Sequence, residues 1–245
     1  MPGWEELFKM GATFEGVETE VAAAARLLRD RFPGDPQNIT VWDIGCGTGR
    51  HTAYLAHLGF SVYASDNAPT ALAKTRELLA EEGLSARFAE ADMEEAPFGD
   101  TIFHGIVIWK VVQHATSPKI ARVIANLKDH LLPGGILVLN VKSTKAEEAG
   151  QGEELEKGTY VMAEGPEAGV PHHYFSKDEL DGLLAPLEII HLVEVQEDMF
   201  ATATSRLGIK KHLPYHNAHW SVMARKTESD FQKDKDPLLE VNGLY

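Results

Sequence analysis

Apolar and polar positions change period repeatedly along the chain, and the changes mark out alternating elements. Residues 17–32 carry apolar side chains at helical spacing, are rich in alanine and stop at Pro33-Gly34, which predicts an amphipathic helix. Residues 39–44 are a short β-branched apolar run broken at once by Gly45, the pattern of a buried strand. Helical spacing returns over 48–58 and ends at Gly59, a residue suited to the left-handed position after a helix. A strand at 60–65 is followed by a helix at 69–82 that starts on Pro69 and stops at Gly83. Further strands are predicted at 86–89 and 103–108, a helix at 118–132 closed by Pro133-Gly134-Gly135, and a fifth strand at 136–141. Strands and helices in strict alternation, joined by short loops, predict an α/β fold with a doubly wound parallel sheet. Such sheets bind ligands beyond the carboxyl ends of their strands, where strand order reverses.

The alternation lapses after Val141. Residues 143–175 are glycine- and glutamate-rich with little periodicity and read as a flap-like insertion. Ser176, with Glu179 three residues on, predicts a capped helix over 176–184. Two last strands at 187–195 and 219–224 are separated by a second irregular insertion at 199–217, and 226–245 form a polar tail. The chain of 245 residues therefore reads as one domain over 1–245. Its core spans 17–142, and the two insertions are candidates for a cap over the substrate. That length buries enough apolar surface to fold without a disulfide or metal staple.

Charge narrows the partners. Thirty-seven acidic residues against 23 basic ones leave a net charge of −14 and a pI near 5.2. Phosphate backbones demand a basic footprint, so no nucleic-acid partner is expected, and an anionic membrane surface is disfavoured likewise. Small molecules, or basic peptides, remain. The single cysteine, Cys46, excludes an intramolecular disulfide and a CxxC zinc site. The first residues lack the basic and apolar regions of a signal peptide, and apolar runs such as 106–109 and 136–139 are too short to span a bilayer. A cytoplasmic monomer or homodimer is expected.

Chemistry first surfaces in Gly45-Cys46-Gly47-Thr48-Gly49, between the first predicted strand and the next helix. Glycine lets the backbone turn sharply and lets a ligand lie against it, and the helix N-terminus beyond offers free N–H groups. Asp66 ends the second strand seventeen residues after Gly49, where a carboxylate can take both hydroxyls of a ribose. A nicotinamide dinucleotide would suit these features too. Its GxGxxG fingerprint, however, would place a third glycine at position 50, which is Arg50, and Asp43 ahead of the turn suits an amine-bearing cation better than a pyrophosphate.

The stretch Asp43-Ile44-Gly45-Cys46-Gly47-Thr48-Gly49 resembles the first motif of the class I S-adenosylmethionine (SAM)-dependent methyltransferases. The resemblance continues through Asp66, Ala91-Asp92-Met93 and Leu132-Pro133-Gly134-Gly135, over roughly 17–142. It implies a mostly parallel, seven-stranded Rossmann-like sheet with its last strand antiparallel, a small cap formed by the insertions, and SAM as cofactor. It also implies that Gly45, Cys46 and Gly47 lie under the methionine moiety while Asp43 orients its ammonium. Asp66 would hold the ribose, Asn67 would lie against the adenine, and Asp92 and the Met93 N–H would meet the adenine edge. Ile108 and Trp109 would reach the methionine end through their carbonyls. One departure stands out: Phe103-His104 replaces the Phe-Asp usual in the family. Cys46 suits packing better than nucleophilic work.

A sulfonium is already an activated leaving group, so an acceptor site need only align the nucleophile and exclude water, with a base added where the nucleophile arrives protonated. Candidate groups are Lys110 and His114 after the fourth strand, His114 as a base, with Trp4, Phe8 and Phe14 as an apolar lid or as packing for the leading helix. Five of eleven histidines (His172, His173, His212, His216, His219) lie in or beside the insertions, with Arg206, Lys210, Lys211 and Tyr215. His172, His173, Tyr215 and His216 are therefore candidate substrate contacts. His216-x-x-His219 leads into a strand without a nearby carboxylate or cysteine, so no metal is expected there. The segments 169–180 and 219–226, with Gly49-Arg50-His51, are similar to tellurite-resistance-type methyltransferases, related to the thiopurine methyltransferases. That similarity implies a small, soft or anionic acceptor such as a thiol or a chalcogen oxyanion. Two alternatives remain: a non-catalytic SAM-binding or sensing module, and an NAD-dependent oxidoreductase.

Overall fold

A computed structural model describes residues 4–164, 167–204 and 210–227; for 199–204 and 210–215 it describes the backbone alone. Helix α1 (Trp4–Lys9) and helix α2 (Thr19–Arg31) precede strand β1 (Thr40–Ile44). Then come α3 (Arg50–His57), β2 (Ser61–Asp66), α4 (Pro69–Glu81), β3 (Arg87–Glu90), β4 (Phe103–Trp109), α5 (Ser117–Asp129) and β5 (Leu131–Lys142). The remainder is β6 (Glu153–Glu156), β7 (Thr159–Val161), β8 (Pro171–His173), α6 (Lys177–Leu184), β9 (Glu188–Thr204) and β10 (Lys210–Arg225). The main sheet has the order β3-β2-β1-β4-β5-β10-β9, with β10 antiparallel to both neighbours and the other pairings parallel. Order reverses between β1 and β4, which opens a crevice at their carboxyl ends.

Strand alternation sorts the core into two layers. Trp42, Ile44, Ile106, Ile108, Leu137 and Leu139 face α5 and α6, where Ile120, Val123, Leu127, Leu180 and Leu184 meet them. Val41, Val107, Trp109, Ile136 and Val138 face the other way, against Val21, Ala24 and Leu28 of α2 and Leu55 of α3. Phe103 sits fully buried in an aromatic knot, 5.3 Å from the Trp42 ring and 5.1 Å from that of Tyr63. The buried indole of Trp42 is satisfied by the Ser65 hydroxyl at 2.9 Å. His104 finds a use that the usual aspartate would also serve: its Nδ1 accepts the Thr40 N–H at 3.1 Å and bridges β4 to β1.

Both insertions are more ordered than their composition predicts. Residues 143–175 hold a three-stranded antiparallel sheet, β6-β7-β8, which forms the cap. Its strands are three or four residues long, too short for alternation to register above a glutamate-rich background. The second insertion is a correction: 199–204 and 210–217 are not irregular but the outer parts of strands β9 and β10, paired from Arg225↔Glu188 out to Lys210↔Thr204. That ribbon runs past β5, which pairs with β10 only from His219 to Arg225, so its outer half lacks the third strand that would impose a buried face. Arg206 lies outside the described residues, as do the side chains of Lys210, Lys211, His212 and Tyr215. Of the polar tail, Lys226 and Thr227 are described. Lys226 is packed: its N–H donates to the Gly135 carbonyl and its ammonium to the Lys128 carbonyl. Among the described residues no helix is long and apolar enough to cross a membrane.

Phe103→Ala should cost about 3–5 kcal/mol of stability, the usual result of emptying a buried aromatic site. Urea unfolding monitored by tryptophan fluorescence reads it, and a loss below about 1 kcal/mol would show that the knot does not anchor the sheet.

Candidate active site

The turn after β1 carries Gly45 (φ +65°), Gly47 (φ +57°) and Gly49 (φ +89°), all left-handed. Side chains are barred at two of them by space as well as by φ: a Cβ on Gly45 would stand 2.3 Å from Val111, and one on Gly49 would stand 2.6 Å from Thr75. The turn is bolted from both sides. The Asp66 carboxylate accepts the Gly47 N–H at 2.9 Å and the Ala68 N–H at 2.9 Å, and the Thr75 hydroxyl donates to the Gly47 carbonyl at 2.8 Å. Burial pushes the Asp66 carboxyl up, while these N–H groups pull it down.

A cavity of about 420 Å³ opens along the turn, a size suited to a small ligand. Gly45, Cys46, Gly47, Asp66, Asn67, Asp92, Met93, Trp109, Lys110, His114, Trp4, Phe8 and Phe14 all line it, so thirteen of the sequence candidates converge on one space. Other candidates stay outside. Asp43 is buried behind the turn, where its carboxylate accepts the Thr52 hydroxyl at 2.6 Å, and it does not line the cavity. Ile108 is fully buried in the sheet. His173 braces the cap, bonded to Thr159 at 2.7 Å and to Glu179 at 2.8 Å. His216 pairs with Asp198 at 3.0 Å, away from the lining. Asp92 lines the cavity with its carboxylate held by Lys119 at 2.7 Å. The Cys46 thiol is pushed well up by burial, with Asp43 and Asp66 adding to the effect, and is inert as a nucleophile.

The cavity is roofed from the N-terminus. Glu5 caps α4 through the Thr70 N–H and hydroxyl, and Lys74 donates to the Phe8 carbonyl, so α1 is pinned down. Phe8 is both lid and packing: it lines the cavity and is buried against Ala68 and Ala71. Arg50, ion-paired to Glu18 at 3.0 Å, donates to the carbonyls of Glu15 and Gly16 and draws Phe14 over the opening. Lys110 adopts φ +58°, rare for a side chain other than glycine, and turns the chain off β4 so that 111–114 cross the mouth. The cap joins there: Gln113 accepts the Lys142 N–H with its side chain and the His173 N–H with its carbonyl.

Polar atoms without protein partners concentrate in this space. Buried nitrogens of His51, Trp109, His114, Asn140 and His219 have no hydrogen-bond partner, and all five residues line the cavity. A buried polar atom is costly unless something pairs with it, so a polar ligand is expected there. His51, Gln113, Asn140 and Lys142 escape sequence reading, although Asn140 does interrupt the apolar run Ile136-Leu137-Val138-Leu139. Burial, reinforced by His172, pushes the His114 imidazole down to about 3. A ring of that pKa is neutral near pH 7 and a weak proton acceptor, which argues against its use as a base.

Residues 41–135 match the family described as a methyltransferase domain. An uncharacterized methyltransferase, YodH, of Bacillus subtilis is 30% identical over 48% of this chain and 48% of its own. A ubiquinone biosynthesis O-methyltransferase of Caulobacter vibrioides is 33% identical over 47% of this chain and 46% of its own. The matches thus span about half the length of these relatives. The crystal structure of TehB from Haemophilus influenzae superposes with a TM-score of 0.60 at 19% identity, covering 91% of this chain and 67% of that one, which shows the shared fold.

The Asp43 carboxyl is raised to about 7 by burial, from an ordinary value of 3.8. The folded state therefore binds this proton more tightly than the unfolded one. The stability it contributes is fully present below about pH 4 and is lost as pH rises through about 7. Asp43→Asn keeps an acceptor for Thr52 and should flatten that decline in denaturation curves measured at successive pH values. An equally steep decline in the variant would contradict the assignment.

Proposed function

We propose that this chain is a class I SAM-dependent methyltransferase that transfers a methyl group from SAM to a small-molecule acceptor. The observation that carries this reading is the position of the cavity. It lies at the β1/β4 reversal, with the glycine turn, Asp66 and the Asp92-Met93 pair strung along it and orphaned polar atoms around it. The cofactor suits these groups. The Gly45–Gly47 backbone offers a surface free of side chains to the methionine moiety. Each Asp66 oxygen accepts one backbone N–H and keeps a lone pair for a ribose hydroxyl. Asn67 and Met93 flank the place of the adenine. Asp43, set behind the turn, acts through Thr52 on the start of α3 and makes no direct contact.

When bound, SAM supplies a methyl carbon on a positively charged sulfur that keeps the bonding pair as the methyl departs. Trp4, Phe8 and Phe14 exclude water from the cavity and hold the acceptor close, which is most of what in-line displacement asks of an enzyme. Charge at the cap side favours an anionic or soft acceptor. Four cations line the cavity, of which Lys119 is held by Asp92, Lys142 by Glu148 and Arg50 by Glu18. Lys110 is the lining cation without an ion pair among the described residues and is placed to meet an acceptor's negative charge. A thiol, a chalcogen oxyanion or another ionisable small molecule fits that charge better than an amine.

Calorimetric titration should show SAM binding and none of NAD(H). Asp66→Ala should weaken SAM binding roughly 10–100-fold, the worth of hydrogen bonds to a charged group. Incubation with methyl-labelled SAM and a panel of thiols, oxyanions, phenols and amines should transfer label to an anionic or soft member. Unchanged SAM affinity in the folded variant would remove the ribose assignment. Transfer to nothing in the panel would favour a binding or sensing module.

A further inference from the structure

The cap brings two histidines and a carboxylate together at the mouth of the cavity. The His114 and His172 rings meet edge to face, 4.7 Å between centroids, and Glu167 lies against both. Backbone carbonyls fix the tautomer of each ring. The Val170 carbonyl, 3.0 Å from His172 Nδ1, can only accept, so Nδ1 carries the hydrogen. The Lys110 carbonyl, 3.1 Å from His114 Nε2, does the same for that ring, and the Gln113 amide at 3.5 Å is the weaker neighbour. Each ring is left with one lone pair, on His172 Nε2 and His114 Nδ1. The first faces a Glu167 oxygen at 2.8 Å, acceptor against acceptor; the second is buried with no partner. One ligand atom from each of the three residues lies within 4.8 Å of the others.

Three electron-pair donors facing one another call for a proton or a cation among them. A proton shared between His172 and Glu167 would satisfy that pair and leave His114 Nδ1 orphaned. A divalent cation satisfies all three. Each imidazole already donates its other N–H to a backbone carbonyl, the outer-shell arrangement that orients histidine ligands. We propose that His114, Glu167 and His172 form a binding site for a divalent transition metal, zinc by its preference for imidazole and carboxylate, with an open position toward the cavity. Three protein ligands leave room for water or a substrate atom. Resting on the methyltransferase reading, this site deepens it: an acceptor thiol or hydroxyl bound to the ion would lose its proton to water and stand as the anion, and an oxyanion would bind as it is. Metal coordination lowers the pKa of bound water from 15.7 to about 7.

Zinc titrated calorimetrically into the chelator-stripped full chain, without SAM, should bind at one ion per chain. His172→Ala and Glu167→Gln should each weaken it by more than the roughly 10–100-fold that losing an outer-shell bond costs, with thermal unfolding of the stripped proteins unchanged. His216→Ala, at the exposed pair with Asp198, should leave affinity as it was. Cobalt(II) in place of zinc should give visible absorption that Glu167→Gln alters. Stoichiometry well below one, or zinc affinity that survives both ligand variants or falls with His216→Ala, would overturn the site. Because binding is read without SAM, that failure would leave the methyl-transfer reading intact, and failure of methyl transfer would leave the metal site standing.

Discussion

The bond from the Gly47 N–H to the Asp66 carboxylate, 2.9 Å and buried, ties the end of β1 to the end of β2. Everything at the site is referred to it. Left-handed backbone is available to glycine almost alone, so the turn can leave the strand abruptly and bare its N–H groups, but glycine also resists being held still. Asp66 from one side and Thr75 from the other supply the restraint that glycine lacks. A single carboxylate thus shapes the turn while keeping lone pairs free on the cavity side. Asp43 and Thr52 repeat the device one layer back, where burial is deep enough to raise the carboxyl to about 7.

Closure over that surface is local and polar. Helix α1 is only six residues long and would not hold its place by propensity. It is kept there by Glu5 on the N-terminus of α4, by Lys74 on the Phe8 carbonyl and by the burial of Phe8 itself. On the opposite side the cap hangs on Gln113, which joins β5 and β8 through one amide and one carbonyl. The two covers meet where the Trp4 ring stands 5.0 Å from His114, and His114 in turn stands against His172. The end of the cavity proposed for the acceptor is therefore built from three stretches far apart in the chain, whereas the turn and Asp66 belong to adjacent β-α units.

That difference explains what could be read from residues alone. Parallel strands buried on both faces have strong apolar signals, so β1, β2 and β4 and the helices α3 and α4 are legible to within two residues, whereas β5 starts at Leu131, five residues before the predicted strand, in a stretch read as the end of a helix and a Pro-Gly-Gly turn. The glycine turn is legible too, because its chemistry is contiguous. Asp66 is legible through its spacing along the same alternation, and Asp92 only through the family resemblance. The cap strands are not: they are three or four residues long and lie among glutamates. The outer β9–β10 ribbon is not, because without a third strand nothing selects a buried face. Glu167 is one glutamate in an acidic stretch, and no local pattern distinguishes it from Glu164. Its meeting with His114 and His172 depends on a fold of the cap that only the assembled chain displays.

The most direct test of the central claim is a crystal structure with S-adenosylhomocysteine bound. The ribose hydroxyls should lie on the Asp66 carboxylate, the adenine beside Asn67 and Met93, and the sulfur should face the His114–His172–Glu167 side under Trp4. A ligand bound with its adenine against His114, or seated anywhere other than along the Gly45–Gly47 turn, would contradict it.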